Sequence, residues 1–566
     1  MRVPVSWLLA VPMILGVAHA ATVTVTGAGD GVAVDGSVTL REALESINGG
    51  ADVNADVVAI GAYGTDDRIE FAIPGAGVHT LQPADELPAL AVPMTIDGYT
   101  QPGASPNTQA ASDDAVLRIE IDGTGVVPGS VGLRVVPGGS GSTIRGLVIN
   151  RFPDGPGPDA GSGIVLLSAD DCVIAGNFIG TAADGTGGPT GSSGNLGPGV
   201  RAVDGASGNR IGGAAPADRN LISGNSRGVQ LRDGAGDNLV QGNFIGVDAS
   251  GLGVLPQTVG VNLQDATTFG NAIGGSGAGE GNVISGNTTG IGIFLGATFT
   301  EIRGNLIGTD PQGLVPVPNS SNGIRIDSLG GSGSNSNTIG GTQPERSNVI
   351  AFNGSNGIAL VGSGGGDNLS NTIRGNRIFA NGLLGIDLDG DGVTPNDPGD
   401  VDTGHNNLQN YPVLDSAVSM GGSTTITGTL DSAPSFPFLV SFYASPACDP
   451  SGFGEGQTYL GFDTVVTDGA GIGPIATVLP VEVPPGWVVT AVASVSDPTG
   501  DSSEFSACVA TPGGPGALEI PALGPLGLLT LCAALAAAAI LALRRGLRVG
   551  RHLGVDGPGP RGHDAG

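Results

Sequence analysis

Gly132-Leu133-Arg134-Val135, Gly163-Ile164-Val165-Leu166 and Gly323-Ile324-Arg325-Ile326 are one pattern met three times: glycine, apolar, any residue, apolar. The pattern starts again at Gly199, Gly228, Gly260, Gly290, Gly357 and Gly385. Successive glycines, from Gly132 to Gly385, are 31, 36, 29, 32, 30, 33, 34 and 28 residues apart. Eight steps averaging about 32 residues are the spacing of a repeat protein.

Two more short apolar segments fall inside each step. One form reads Ile174-Ala175-Gly176-Asn177-Phe178-Ile179-Gly180 and returns from Val240, Ile302 and Ile373. The other reads Asn209-Arg210-Ile211-Gly212-Gly213 with Asn220-Leu221-Ile222, and returns at Asn271 with Asn282 and at Asn337 with Asn348. The forms alternate, so the unit is two coils of about 62–67 residues. Apolar residues recur with period 2 between Gly and Asn, which specifies strands. Strands this short bury a face only when identical coils stack into one continuous core. Inward Asn side chains can form ladders at the turns, and Gly supplies turns with positive φ. The expected fold is all-β, a parallel solenoid over residues 131–410. At ~4.8 Å per coil, eight steps make roughly 40 Å of rod. This resembles the right-handed parallel β-helix of pectate-lyase-like proteins, and the handedness is what that resemblance implies.

The rest of the composition agrees. Of 566 residues, 39% are hydrophobic and 13% charged, enough apolar surface for a core despite 103 Gly and 39 Pro. Aromatics are 4%, so that core is aliphatic. Fifty-two acidic against 22 basic residues give a net charge of −30, and every cationic side chain but His is Arg. Such a chain is not built for nucleic acid.

Residues 1–20 read as a signal peptide: Arg2, the apolar run Trp7 to Val17, and the small-x-small site Ala18-His19-Ala20. Residues 21–130 form a cap and first coils. Val38-Thr39-Leu40-Arg41-Glu42-Ala43-Leu44 resembles the CSLREA domain that begins many bacterial surface β-helix proteins, with Val38 where the family has Cys. Leu40 to Ile47 is expected as a short helix closing the open solenoid. After Pro412 longer alternating strands suggest an immunoglobulin-like β-sandwich over residues 411–511. Cys448 and Cys508, in this stretch of an exported protein, are expected to pair. Residues 512–519 are a linker, 520–545 a membrane span, and 546–566 a basic cytoplasmic tail. Ile520 to Leu543 carries no charge and Arg544-Arg545 follows, so the span is long enough and its basic end stays inside. Ile520-Pro521-Ala522-Leu523 with the span and arginines resembles the IPTL-type sorting signal. That resemblance implies an exosortase-like protease as partner. Leu526 stands where the motif has Trp, and the chain runs on to Gly566.

Two regions are candidate sites. Asp387-Leu388-Asp389-Gly390-Asp391-Gly392, followed by Asp397, Asp400 and Asp402, offers hard oxygen ligands suited to a structural Ca²⁺. It is not an EF-hand, because Pro398 stands at the twelfth position, where that loop needs Glu. The alternative is an acidic solvated turn. The second candidate is the outward column of the Gly-started strands. If Ile324 and Ile326 point in, Arg325 and Asp327 point out, and the same logic exposes Arg134, Arg201, Gln230, Arg232, Asn262 and Gln264. Such a strip suits glycan binding, and equally an ordinary solvated face.

Signs of catalysis are sparse. Asp170-Asp171 is one adjacent acidic pair. The Gly-His-Gly and Arg-x-Lys segments of β-helix hydrolases and the Asp-Pro-His-Glu segment of mannuronan epimerases are absent. His79 and His405 are isolated, and no Cys/His cluster suggests zinc. The expectation is an exported, membrane-anchored surface protein, non-catalytic, serving adhesion or polysaccharide binding. The alternatives are a polysaccharide lyase or hydrolase working along the β-helix, and a purely structural rod.

Overall fold

The computed structural model describes residues 20–187, 194–362, 365–496 and 500–512. Its main body is a parallel β-helix of three sheets with 11, 10 and 9 strands, to which each full coil contributes one strand apiece. The Gly-started strands all fall in the third sheet, from Leu133–Val135 to Ile386–Leu388. The two alternating forms found in the sequence occupy the first and second sheets of successive coils.

Period-2 alternation places one β-branched residue per strand on the axis, stacked on its equivalent in the next coil. In the first sheet Ile144, Ile174, Ile211, Val240, Ile273 and Ile302 are in direct register and fully buried. A β-branched side chain has one strongly preferred rotamer, so such a stack orders at little entropic cost.

Over residues 173–361 the corners alternate as the strands do. Between the first and second sheets, two residues join Val173–Ala175 to Phe178–Ile179. In the next coil a longer loop with the 3₁₀ turn Pro216–Asp218 joins Arg210–Gly212 to Leu221–Ile222. At the next corner the order reverses: Phe178–Ile179 reaches Pro198–Val203 by a long arm, Leu221–Ile222 reaches Arg227–Arg232 by a short turn. The arms, over 182–187, 247–254 and 309–316, stack on each other outside the second sheet. Ala249 N–H donates to Gly185 O (2.8 Å), and a Cβ on Gly251 would lie 2.4 Å from Pro311.

The turns are tied by inward amides. Asn177, Asn220, Asn243, Asn282, Asn305, Asn348 and Asn376 form a ladder, each Nδ2 donating to the next Oδ1 at 2.8–3.1 Å. A second ladder begins at Asn195 and Asn225, takes in Gln257, and continues through Asn287 and Asn319 to Asn381. These side chains satisfy backbone groups that the solenoid buries at its corners.

Both ends of the described body are covered. The helix Leu40–Gly49 lies over the first coils, with Leu40, Ala43, Leu44 and Ile47 in the same core as Val23 and Phe71. Thr39 and Glu42 form its capping box. At the other end stands a sandwich of two antiparallel sheets, three and four strands. Its fourth strand, Thr458–Val466, pairs with the third, Pro437–Ser445, whereas the constant-type immunoglobulin pattern puts it beside the fifth. A disulfide joins Cys448 to Cys508. Tyr443, Val492 and Phe505 belong to the solenoid core. Glu455 Oε1 ends the second Asn ladder by accepting from Asn381 Nδ2 at 2.8 Å, and Asn406 Oδ1 accepts from Asn371 N–H at 2.9 Å.

Cys172 is buried in a coil and unpaired. Most of the signal segment, the linker, the expected span Ile520–Leu543 and the basic tail lie outside the described residues. Among the described residues no helix is long and apolar enough to cross a membrane.

Candidate functional site

The outward column of the third sheet follows the strand register. Arg134 pairs with Val165, then Arg201, Gln230, Asn262, Gly292, Arg325, Ala359 and Asp387 follow coil by coil. Two residues further along each strand runs a second column, Arg232, Gln264, Phe294, Asp327 and Val361. Ile324 and Ile326 point inward, fully buried.

This face is far less exposed than an outward polar column suggests. Arg201, Gln230, Asn262, Asp327 and Asp387 are all buried, with Gln230 only 3% and Asp327 only 1% exposed. The reason is pairing within the face and with flanking loops. Arg134 Nε lies 2.9 Å from Glu86 and its Nη1 2.6 Å from Asp159, which also sits 3.3 Å from Arg201. Arg232 pairs with Asp233 at 2.6 Å, and Arg325 Nε donates to Asp327 Oδ2 at 3.0 Å. Gln230 Nε2 donates to Asn262 Oδ1 at 3.1 Å. Two acceptors on buried side chains have no partner: Gln230 Oε1 and Asp327 Oδ1.

Phe294 is the residue that the sequence pattern did not single out. It sits half-buried in the second column between Gln264 and Asp327. A Cβ on Gly292 would lie 2.2 Å from Cε2 of its ring. The ring is therefore laid down along its own strand, over the position where the first column has no side chain. The signal for it is Gly292, a glycine at a position that is Asn262 in one neighbouring coil and Arg325 in the other.

The six carboxylates at the end of the solenoid do not form one site. Asp387 is buried, accepting from Asn356 Nδ2 at 2.7 Å and from Gly390 N–H at 3.1 Å. Asp389 faces His405, its Oδ1 3.5 Å from Nε2. Asp391 is exposed on a cavity of about 530 Å³ shared with Leu383, Leu384, Val393, Asp449 and Pro450. Asp397, Asp400 and Asp402 do converge, with oxygens within 4.8 Å of one another. Burial raises the Asp400 carboxyl to about 6, and the neighbouring charges of Asp402 and Asp397 add to it. Asp402 is raised too, by burial first and then by Asp397. Asp397 Oδ1 and Asp402 Oδ1 have no hydrogen-bond partner. The three carboxylates form a set of hard oxygens whose like charges repel one another.

The remaining ionisable groups have structural employment. Asp170 Oδ1 accepts from Ser207 N–H at 2.8 Å, and Asp171 takes positive φ in the same turn. His405, isolated in the sequence, is buried at the start of the 3₁₀ turn His405–Leu408. Its Nδ1 accepts from Asn368 N–H at 3.0 Å, in line with the stacked amides. On the strip face Asp327 is tied to Arg325, and Asp387 accepts from Asn356 Nδ2 and Gly390 N–H.

No family model matches the chain, and no curated protein matches it. Solved structures do. A mutant of the periplasmic alginate epimerase AlgG is 14% identical over 57% of this chain and 69% of that one, with a TM-score of 0.29. The enzymatically active domain of tailspike protein 2 of bacteriophage CBA120 is 11% identical over 80% of this chain and 73% of that one, with a TM-score of 0.26. At these scores neither likeness bears on what this chain binds or does.

Proposed function

We propose that this protein is exported, held at the membrane by residues 520–545, and binds polysaccharide along the outward face of its third sheet without cleaving it. The observation that carries this reading is the face itself. Amide, guanidinium and carboxylate groups repeat there coil after coil, with an aromatic ring laid among them. A polymer lying along the rod meets such groups at a fixed spacing, so many weak contacts add as avidity without a deep pocket. Export and anchoring rest on the apolar run behind Arg2 and on the uncharged stretch before Arg544-Arg545. A sorting protease of exosortase type would act on that stretch. The triad Asp397, Asp400 and Asp402 holds a structural Ca²⁺ where solenoid meets sandwich, supported by its converging oxygens and its two unpartnered acceptors.

The test is a glycan array probed with the full chain in mild detergent, with and without Ca²⁺, followed by analysis of bound polymers for new reducing or unsaturated ends. Binding without new ends is expected. New ends would replace this reading with a lyase or hydrolase. Absence of binding to every glycan would leave a structural rod.

A further inference from the structure

The charge on the third-sheet face is already spent. Its four arginines, Arg134, Arg201, Arg232 and Arg325, meet four carboxylates, Glu86, Asp159, Asp233 and Asp327. At the turns that end successive strands runs an acidic row, Asp204, Asp233 and Asp265. With Asp233 paired to Arg232, Asp204 and Asp265 still outweigh Arg227 at the opposite edge. Around the face the chain carries −30. A polyanion gains nothing here from steering and must compete with carboxylates already in place.

The groups left over ask for something else. Arg201 Nε and Arg232 Nε lack hydrogen bonds but keep carboxylates as charge partners; Gln230 Oε1 and Asp327 Oδ1 are acceptors with no partner, and such an acceptor is satisfied by a hydroxyl. Both are shut off from water in the unliganded face, and Asp327 lies beneath the 40%-exposed side chain of Arg325, which a ligand would have to displace. Between them lies the Phe294 ring, flat on the sheet because Gly292 gives it room. An aromatic face is electron-rich and attracts polarised C–H groups, which the apolar face of a pyranose presents.

We propose that the ligand of this face is a neutral, hydroxyl-rich glycan, with one sugar ring stacked on Phe294 and its hydroxyls turned toward Gln230 and Asp327. This rests on the polysaccharide reading above and narrows it to a substrate class.

The experiment measures binding of the full chain to neutral polymers (glucan, mannan and xylan), acidic ones (alginate and polygalacturonate) and cationic chitosan, at about 50 and about 500 mM NaCl, across which charge interactions are strongly screened. Two variants accompany it. Phe294→Ala removes the ring. Gly292→Ala keeps the ring but puts a methyl where it lies, and Gly292 has no positive φ to strain. At least one neutral polymer is expected to bind with less than twofold change between the two salt concentrations. Each variant is expected to weaken that binding at least tenfold with an unchanged melting curve. Salt-sensitive binding of acidic polymers or chitosan alone would overturn the neutral class while leaving polysaccharide binding intact. Neutral binding indifferent to both variants would overturn the Phe294 site. Binding to none of these polymers would sink the inference and the reading it rests on together.

Discussion

Replacing Asn282 by Ala tests whether the stacked amides hold the rod together or merely fill its corners. The Asn282 side chain makes four hydrogen bonds. Its Oδ1 accepts from Asn243 N–H and Asn243 Nδ2, both 3.0 Å, and its Nδ2 donates to Val240 O at 2.8 Å and Asn305 Oδ1 at 2.9 Å. Not all four partners are stranded by the change. Asn243 Nδ2 keeps Ile211 O, and Asn305 Oδ1 keeps the Asn282 backbone N–H. The backbone N–H of Asn243 loses its acceptor inside the protein. Four net bonds at about 1 kcal/mol each, plus up to ~2 kcal/mol for the stranded N–H, give about 4–6 kcal/mol. In a solenoid that loss falls on one coil and its neighbours, so it is read locally. Hydrogen exchange should show the amides of residues 239–245 and 301–307 losing protection, while those near residue 70 keep theirs. Urea denaturation should show an early transition absent from the parent. A change below about 1 kcal/mol with unaltered exchange would refute the reasoning, since no net hydrogen bond would then be worth its usual value.

Glu504 and Glu455, buried between solenoid and sandwich, are raised to about 8 and about 7, burial being the main cause in each. The folded state therefore binds more protons than the unfolded one, so their contribution is fully present below the ordinary Glu range and lost as pH climbs through about 8. The melting temperature should fall between pH 5 and 8.5, and Glu504→Gln should flatten that fall; an unchanged slope would refute the assignment. Phe505→Ala, which empties a nearly fully buried ring site against Tyr443 (centroids 5.2 Å apart), should cost about 3–5 kcal/mol in denaturant unfolding, and a loss under 1 kcal/mol would mean that the sandwich does not seal the rod. Reducing the disulfide, whose cysteines are 60 residues apart, should destabilise the sandwich by about 4 kcal/mol on the chain-entropy model, measured by urea titration with and without reductant. Ca²⁺ at a hundred times its Kd should stabilise the chain by about 2.7 kcal/mol, an effect that Asp402→Asn should abolish; indifference of the parent to Ca²⁺ would dismiss the triad as a cation site.

The solenoid was legible because its signal is repeated. Each coil restates the same inward Ile or Val and the same turn Asn, so errors at one coil are corrected by the next. The helix over Leu40 was expected from the resemblance of Val38–Leu44 to a known cap segment, and the capping box of Thr39 with Glu42 is the local reason it forms. The sites were harder to read because they depend on what lies across the strand. Alternation correctly turned Asp327 outward, yet it could not foresee that Arg325 on its own strand would cover it. Nor could spacing divide the six carboxylates. Asp387, held by Asn356 from the preceding coil, lines the same cavity as Asp391, whereas Asp389 lies against His405, sixteen residues further on, so the Asp-x-Asp-x-Asp run is split. Phe294 was missed because it breaks the polar pattern on which the strip was recognised.

The alternation of long and short corners restricts how this rod can change length. Each stacked arm seats against the arm two coils away, as Gly251 does against Pro311. Deleting one coil of about 32 residues would bring two like coils together and leave arms without room on one edge and without a neighbour on the other. Deleting or duplicating two keeps every arm in register. Within that alternating stretch the reach of the rod therefore changes without misplaced arms in steps of roughly 9.6 Å, twice the strand spacing.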